Sequence, residues 1–345
     1  MPFDPAESVI LGRAGLEVSR LGFGTASIGG LYAEVSDRDA IAVVERAWEL
    51  GVRLFDTAPL YGYGLAERRL GSVLAMRPRT AFTLSTKVGR LVRRVDEIGP
   101  SADVDPQALD GREDAYYARS EPVRMVFDYS AEGVRRSIEE SLVRLGLDRI
   151  DIALIHDPDN HWQAAIDEAF PALARLRDEG VVRAIGVGMN QAAMLARFAR
   201  EGDFDVFLSA SRYTLLDQTA LDELLPLCVD RGIAVLCGGV MNTGLLAAPR
   251  SGARYDYGDA PPELVERARR LAVVCARHDV PLRDAAIQFP LAHPAIASVV
   301  AGVRSIAHLD EYPAALRRSI PAALWADLRD EGLIRLDAPV PAGPA

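Results

Sequence analysis

One alternation constrains this chain more than any other feature. Short apolar runs occupy 19–25, 52–58, 81–87, 151–157, 182–188, 204–210, 233–239 and 296–302. Amphipathic sequence of helical period follows them at 36–51, 65–76, 130–147, 161–180, 190–202, 217–232, 262–292 and 306–316. The runs are almost continuously apolar, as strands buried on both faces must be. Regular alternation of strand and helix implies a parallel sheet. Eight such units predict an α/β fold of the (β/α)8, or TIM, barrel type. An open doubly wound sheet is the alternative, but no division of the chain into two halves supports it. The leading "VILGRAGLEVS" (9–19) predicts a hairpin that closes the barrel floor, and residues 1–345 read as a single domain. One interruption stands out at about 90–129, polar and irregular. A loop that long in a compact domain is a lid, a binding loop or disordered.

Charge removes several classes of function. The formal net charge of −10 argues against a nucleic-acid footprint and against an anionic membrane surface. No apolar stretch reaches the roughly 18 residues of a membrane span. The N-terminus "MPFDPAESVILGRAG" lacks the basic and apolar regions of a secretory signal. A cytoplasmic protein with a small-molecule substrate is expected. Cys228, Cys237 and Cys275 are widely spaced in apolar runs. They read as small buried hydrophobes, and no metal site is expected.

In such a barrel the working residues sit at the C-terminal ends of the strands. Strand two ends at Asp56, with Tyr61 just beyond in "FDTAPLYGYG". Strand three ends at Lys87, the only lysine among 39 lysines and arginines. Strand four ends at His156 in "LIHDPD". Neighbouring strands bring these four groups to one mouth. A lysine is a compact point charge, where arginine is a broad planar fork. A buried ammonium beside a tyrosine favours the phenolate, so Lys87 is expected to lower the pKa of Tyr61. Asp56 would hold the ammonium charged and oriented. His156 could hydrogen-bond the substrate oxygen that Tyr61 protonates or deprotonates. Together they form a proton-transfer site for carbonyl–alcohol interconversion.

"FDTAPLYGYGLAE", "STKVGR" and "ALIHDPD" together resemble the aldo-keto reductase family, over about residues 8–320. The resemblance implies a catalytic tetrad of Asp56, Tyr61, Lys87 and His156. It also implies hydride transfer to or from a nicotinamide cofactor at the barrel mouth. By the same resemblance, Gly24 and Thr25 would line the nicotinamide site. The "G-x-G" of Gly22 and Gly24 has Ser27 where a Rossmann fingerprint has its third glycine, so it is not read as one.

Three departures from the common family pattern bear on the cofactor. "GVGMN" after strand five puts Gly188 and Met189 where many members have Ser-Asn, with Asn190 next. "CGGVMN" after strand seven puts Gly238, Gly239 and Val240 where many carry an aromatic. After strand eight, Gly302 and His308 stand where members preferring NADP tend to have Lys and Arg. Arg304 is the remaining cation there, and Glu311 adds negative charge. Burying a phosphate dianion without paired cations is costly, so NAD is expected over NADP.

These departures, with "RYTLLDQ" and "GVGMNQ", resemble the subgroup of sugar 1-dehydrogenases acting on L-fucose, D-threo-aldoses and L-galactose, with a related pyridoxal 4-dehydrogenase. That resemblance implies oxidation of an anomeric hydroxyl, or a similar cyclic hemiacetal, to a lactone. The alternatives are a pyridoxal dehydrogenase and a broad NADPH-dependent aldehyde or ketone reductase. A nucleotide-binding sensor without turnover would have no need of Tyr61. Substrate recognition is expected from the 90–129 segment and the loops after strands one and four. Phe127 and Trp162 are candidates to present flat faces to the substrate, alongside Tyr61 and His156.

Overall fold

The computed structural model describes residues 2–106, 117, 122–256 and 258–343. Eight parallel strands close into a barrel. In chain order, barrel strands one to eight are Leu21–Gly24, Leu54–Asp56, Thr83–Val88, Ile152–His156, Ala184–Met189, Val206–Ala210, Ala234–Gly238 and Ile296–Gly302. Each pairs with its neighbour in sequence, and strand eight closes onto strand one through Gly302 and Gly24.

The helices follow from local chemistry. Ser36 is extended and its hydroxyl accepts from Asp39 N, opening Asp37–Glu49. Ser130 caps Ala131–Leu145 in the same way through Gly133 N. That helix stops at Gly146, whose φ of 64° suits a residue without a side chain. The stretch 161–180 is not one regular helix. A π turn at Ala165–Ala169 joins Trp162–Ala164 to Phe170–Asp178. Pro171, with no N–H to give the preceding turn, lies just after it. Likewise 262–292 divides into Pro262–Arg277, Leu282–Gln288 and a 3-10 turn. A further helix, Ala322–Asp330, follows the eighth unit.

The core has two layers set by the period-two alternation of strands. In strand four, Ala153 and Ile155 join the large cluster between barrel and helices. Ile152 and Leu154 join a smaller cluster inside the barrel. The hairpin Ser8–Leu11/Leu16–Ser19 inserts Leu11, Leu16 and Val18 into that inner cluster, closing the floor. The three cysteines are buried thiols.

The segment after strand three differs from the irregular loop expected. Its ends, Arg90–Arg94 and Val123–Phe127, pair as an antiparallel ribbon beside the mouth. Residues 107–116 and 118–121 of that segment lie outside the described residues. No helix among the described residues is long and apolar enough to cross a membrane.

Candidate active site

The alternation that sorts the core also builds the site. Continuing the inward sets 152/154 and 54 by two residues brings His156 and Asp56 to the top of the lumen. Gly24 is registered beside Asp56, and His156 beside Gly188. Lys87 belongs to the inward set of strand three and lies beside Leu154.

Lys87 Nζ donates to Asp56 Oδ2 at 2.7 Å and to the Thr57 carbonyl at 2.9 Å. Ser85 Oγ donates to the other carboxylate oxygen at 2.9 Å. Lys87 and Asp56 are 1% and 2% exposed, so this pair depends on its partners and not on water. Tyr61 sits in the turn before helix Leu65–Leu74, with its ring centroid 4.8 Å from Lys87 Nζ. Its edge meets His156 at 5.8 Å between centroids and 88° between planes. The structure therefore brings Asp56, Tyr61, Lys87 and His156 together.

The electrostatics correct one expectation. Burial holds the Tyr61 hydroxyl well above its ordinary value, and the charges of Asp56 and Asp157 push the same way. Arg90 opposes them without offsetting them. The Lys87 ammonium is ion-paired with Asp56 at 2.7 Å. Tyr61 is thus a protonated phenol at neutral pH. Burial, with Arg90 and Lys87 nearby, holds His156 well below its usual range, so its imidazole is neutral.

Above the tetrad lies a cavity of about 420 Å³, bordered by Tyr61, Lys87, His156, Phe127, Met189 and Asn190. A second cavity of about 510 Å³, bordered by Glu17, Arg53, Asp151 and Arg183, lies at the opposite end against the floor hairpin. It contains none of the tetrad, and barrel chemistry belongs to the C-terminal strand ends. Phe127 borders the mouth cavity as expected. Trp162 does not. Its ring packs on Phe198 at 4.3 Å with the Arg197 guanidinium over it at 3.7 Å. The side chain turns away from the mouth because strand five's following helix offers it an apolar partner.

The opposite rim is nearly bare. Gly24, Gly238 and Gly302 end strands one, seven and eight, and Gly188 is the last residue but one of strand five. A Cβ on Gly188 would stand 3.3 Å from Lys87 Cε, and one on Gly24 would stand 3.0 Å from Val300 Cγ1. Such a cradle suits a flat ring lying beside the tetrad, so the residues fit a nicotinamide. Thr25 is buried, its hydroxyl donating to Thr57 Oγ1 at 2.8 Å. The amide oxygen of Asn242 is buried without a partner, an acceptor that sequence reasoning missed. Met189 is buried in the outer layer and Asn190 O accepts from Arg212 at 2.6 Å. Gly239, with φ 63°, turns the chain after strand seven, and Val240 is buried behind it. Arg304 and His308 are exposed at the start of helix Ile306–Arg317, which Ser305 caps. Glu311 is not a free charge there, since Arg283 pairs with it at 2.6 Å. No group of three or more side chains suited to a metal lies together among the described residues.

Sequence reasoning also missed a second charged group at the mouth. Arg90 donates to Asp105 at 2.7 Å and lies 3.3 Å from Asp157 Oδ2. The same Asp157 oxygen stands 3.5 Å from His156 Nε2. Burial, only partly offset by Arg90, raises the Asp157 carboxyl to about 6.

Comparison with known proteins agrees with this geometry. The family model described as "Aldo/keto reductase family" matches residues 20–330. The D-threo-aldose 1-dehydrogenase of a Pseudomonas species is 45% identical over 324 residues, covering 93% of this chain and 96% of that protein. The pyridoxal 4-dehydrogenase of Microbacterium luteolum is 42% identical over 348 residues, covering 97% and 100%. Among solved structures, the holo form of an aldo-keto reductase from Bacillus halodurans superposes with a TM-score of 0.70 at 25% identity, covering 95% and 96%.

Proposed function

The chain belongs to the aldo/keto reductase family, and from that premise we propose that it is a dehydrogenase oxidising the anomeric hydroxyl of a neutral aldose to a lactone, with NAD as hydride acceptor. The observation that carries this reading is the convergence of Asp56, Lys87, Tyr61 and His156 beneath one cavity and beside a bare glycine rim. The similarity to a D-threo-aldose 1-dehydrogenase supports the substrate class.

The residues divide the work. His156, neutral and fixed at the strand end, donates a hydrogen bond to the substrate oxygen. Tyr61 exchanges the proton with that same oxygen: it accepts it as the alcohol is oxidised and returns it when a carbonyl is reduced. Asp56 holds Lys87 beneath the Tyr61 ring, where the ammonium stabilises the phenolate that forms in the oxidation direction. Phe127 and Tyr61 give the cavity two aromatic walls that exclude water from the reacting carbon. Gly24, Thr25, Gly188, Met189, Asn190, Gly239 and Val240 would hold the nicotinamide end, and Gly302, Arg304 and His308 the adenosine end. When bound, the nicotinamide supplies the hydride acceptor. With Arg304 and His308 exposed and no lysine available, the adenosine end suits NAD better than a ribose phosphate.

Pyridoxal is the second reading, favoured by the 42% identity to a pyridoxal 4-dehydrogenase along 97% of the chain. The test is nicotinamide reduction followed by absorbance, with NAD or NADP and L-fucose, L-galactose, D-arabinose or pyridoxal. Turnover of an aldose with NAD is the expected result. Turnover of pyridoxal alone would move the substrate to the vitamin. A clear NADP preference would defeat the cofactor assignment. NADPH-dependent reduction of simple aldehydes, with no oxidation, would defeat the dehydrogenase reading.

A further inference from the structure

The tetrad explains proton transfer but leaves Arg90, Asp105 and Asp157 without a role. All three border the cavity. Arg90 is 5% exposed and Asp105 1%, so neither is a solvated surface charge. Asp105 satisfies one end of the guanidinium at 2.7 Å, which fixes the other end toward Asp157 at 3.3 Å. Arg90 also lies over the Phe127 ring, 5.0 Å from its centroid.

Asp157 is placed with equal care. Its φ is +38°, a left-handed conformation that Asp tolerates better than most residues. Its N–H donates to the Gly188 carbonyl at 3.0 Å. The Tyr129 hydroxyl donates to the carbonyls of His156 and Asp157, at 2.8 and 3.2 Å. These bonds pin the residue so that its carboxylate borders the cavity beside His156. The Asp157 side chain keeps 30% of its surface exposed, unlike its buried neighbours. One of its oxygens is shared by Arg90 and His156. A carboxylate has acceptor capacity for further donors.

A carboxylate beside the reacting carbon suits some substrates and not others. A hydroxyl next to that carbon can donate to it in a charge-assisted bond. A plain aldehyde has no such donor. An anionic sugar would be repelled, the more so because Asp159 also borders the cavity.

We propose that Asp157, held in place by Arg90, is a substrate-recognition residue that accepts hydrogen bonds from hydroxyls flanking the reacting carbon and so selects neutral polyols over plain aldehydes and sugar acids. This rests on the dehydrogenase reading above. The test is Asp157→Asn, which keeps an oxygen for Arg90 and suits a left-handed φ. L-fucose is titrated calorimetrically into the wild type and the variant, each with saturating NADH. Oxidation of L-fucose and reduction of benzaldehyde are then followed in both proteins.

A hydrogen bond to a charged group corresponds to roughly 10- to 100-fold in affinity. The expected result is a loss of that size in L-fucose affinity, with a matching rise in its KM, and a much smaller change in benzaldehyde reduction. The preference for galactose over galacturonate also narrows in the variant. Equal loss on L-fucose and benzaldehyde would mean that Asp157 only positions His156, and would overturn this inference alone. Unchanged L-fucose binding would overturn it too. A wild type that reduces benzaldehyde but neither binds nor oxidises any aldose would overturn both this inference and the dehydrogenase reading. Melting temperatures that agree exclude misfolding as the cause of any loss.

Discussion

Lys87→Met removes the ammonium while keeping an unbranched chain of similar length. Asp56 is then left 2% exposed with Ser85 as its remaining side-chain donor. Breaking a buried ion pair from one side costs about 3–5 kcal/mol. Unfolding entropy of roughly 2.1 cal/mol/K per residue, over 345 residues, amounts to about 0.7 kcal/mol/K. The melting temperature should therefore fall by about 4–7 °C. The double variant Lys87→Met/Asp56→Asn removes both charges, and should recover most of that loss because a neutral pair no longer needs mutual compensation. It should not recover turnover, because no cation remains beneath the Tyr61 ring. A loss of about 10²- to 10⁴-fold is the scale of a positioned proton-transfer group. Lys87→Arg should fold and still lose most turnover, since the space between Asp56 and Tyr61 admits a point charge and not a fork. Calorimetry and nicotinamide absorbance read the two effects separately. The reasoning fails if the single variant melts with the wild type, or if the double variant melts as low as the single one.

Two other outcomes follow from the site. Tyr61 is held above its ordinary value, so it is protonated across neutral pH and must lose its proton to act as a base. Oxidation should therefore accelerate steadily from pH 7 to 10, while reduction stays flat over pH 6–9; a plateau in oxidation below pH 8 would contradict the raised value. Trp162→Ala should cost about 2 kcal/mol, less than full burial would give, because the ring packs on Phe198 and Arg197. That is about 3 °C in melting temperature with KM unchanged; a changed KM would return Trp162 to the substrate site.

The barrel was legible because eight apolar runs alternate with helical sequence; Asp56, Lys87 and His156 were legible because they stand at the ends of consecutive runs, and Tyr61 because it lies just past one of them. "IALIH" carries Ile152 and Leu154 on the lumen side, so His156 has to follow them inward. The ribbon Arg90–Arg94/Val123–Phe127 was not legible. Three of the five residues in its first strand are arginines, which hides the buried Leu91, and Met125 lies in a partner strand far along the chain. The roles of Arg90, Asp105 and Asp157 were hidden for a related reason. Composition treats a charge as solvated until a fold supplies its partner. The state of Tyr61 was misjudged because Asp56 was counted only as the partner of Lys87, while burial and Asp157 were not weighed. Sequence names the nearest charges but not their sum at a point.

The single buried lysine has a practical consequence. A lysine-specific endoprotease can cut this chain only once, after residue 87. In the folded protein that bond lies within barrel strand three, with Lys87 1% exposed. Local fraying elsewhere leaves it intact, and only opening of the barrel exposes it. Release of the two fragments, 1–87 and 88–345, is therefore a built-in clock for unfolding of the barrel around Lys87.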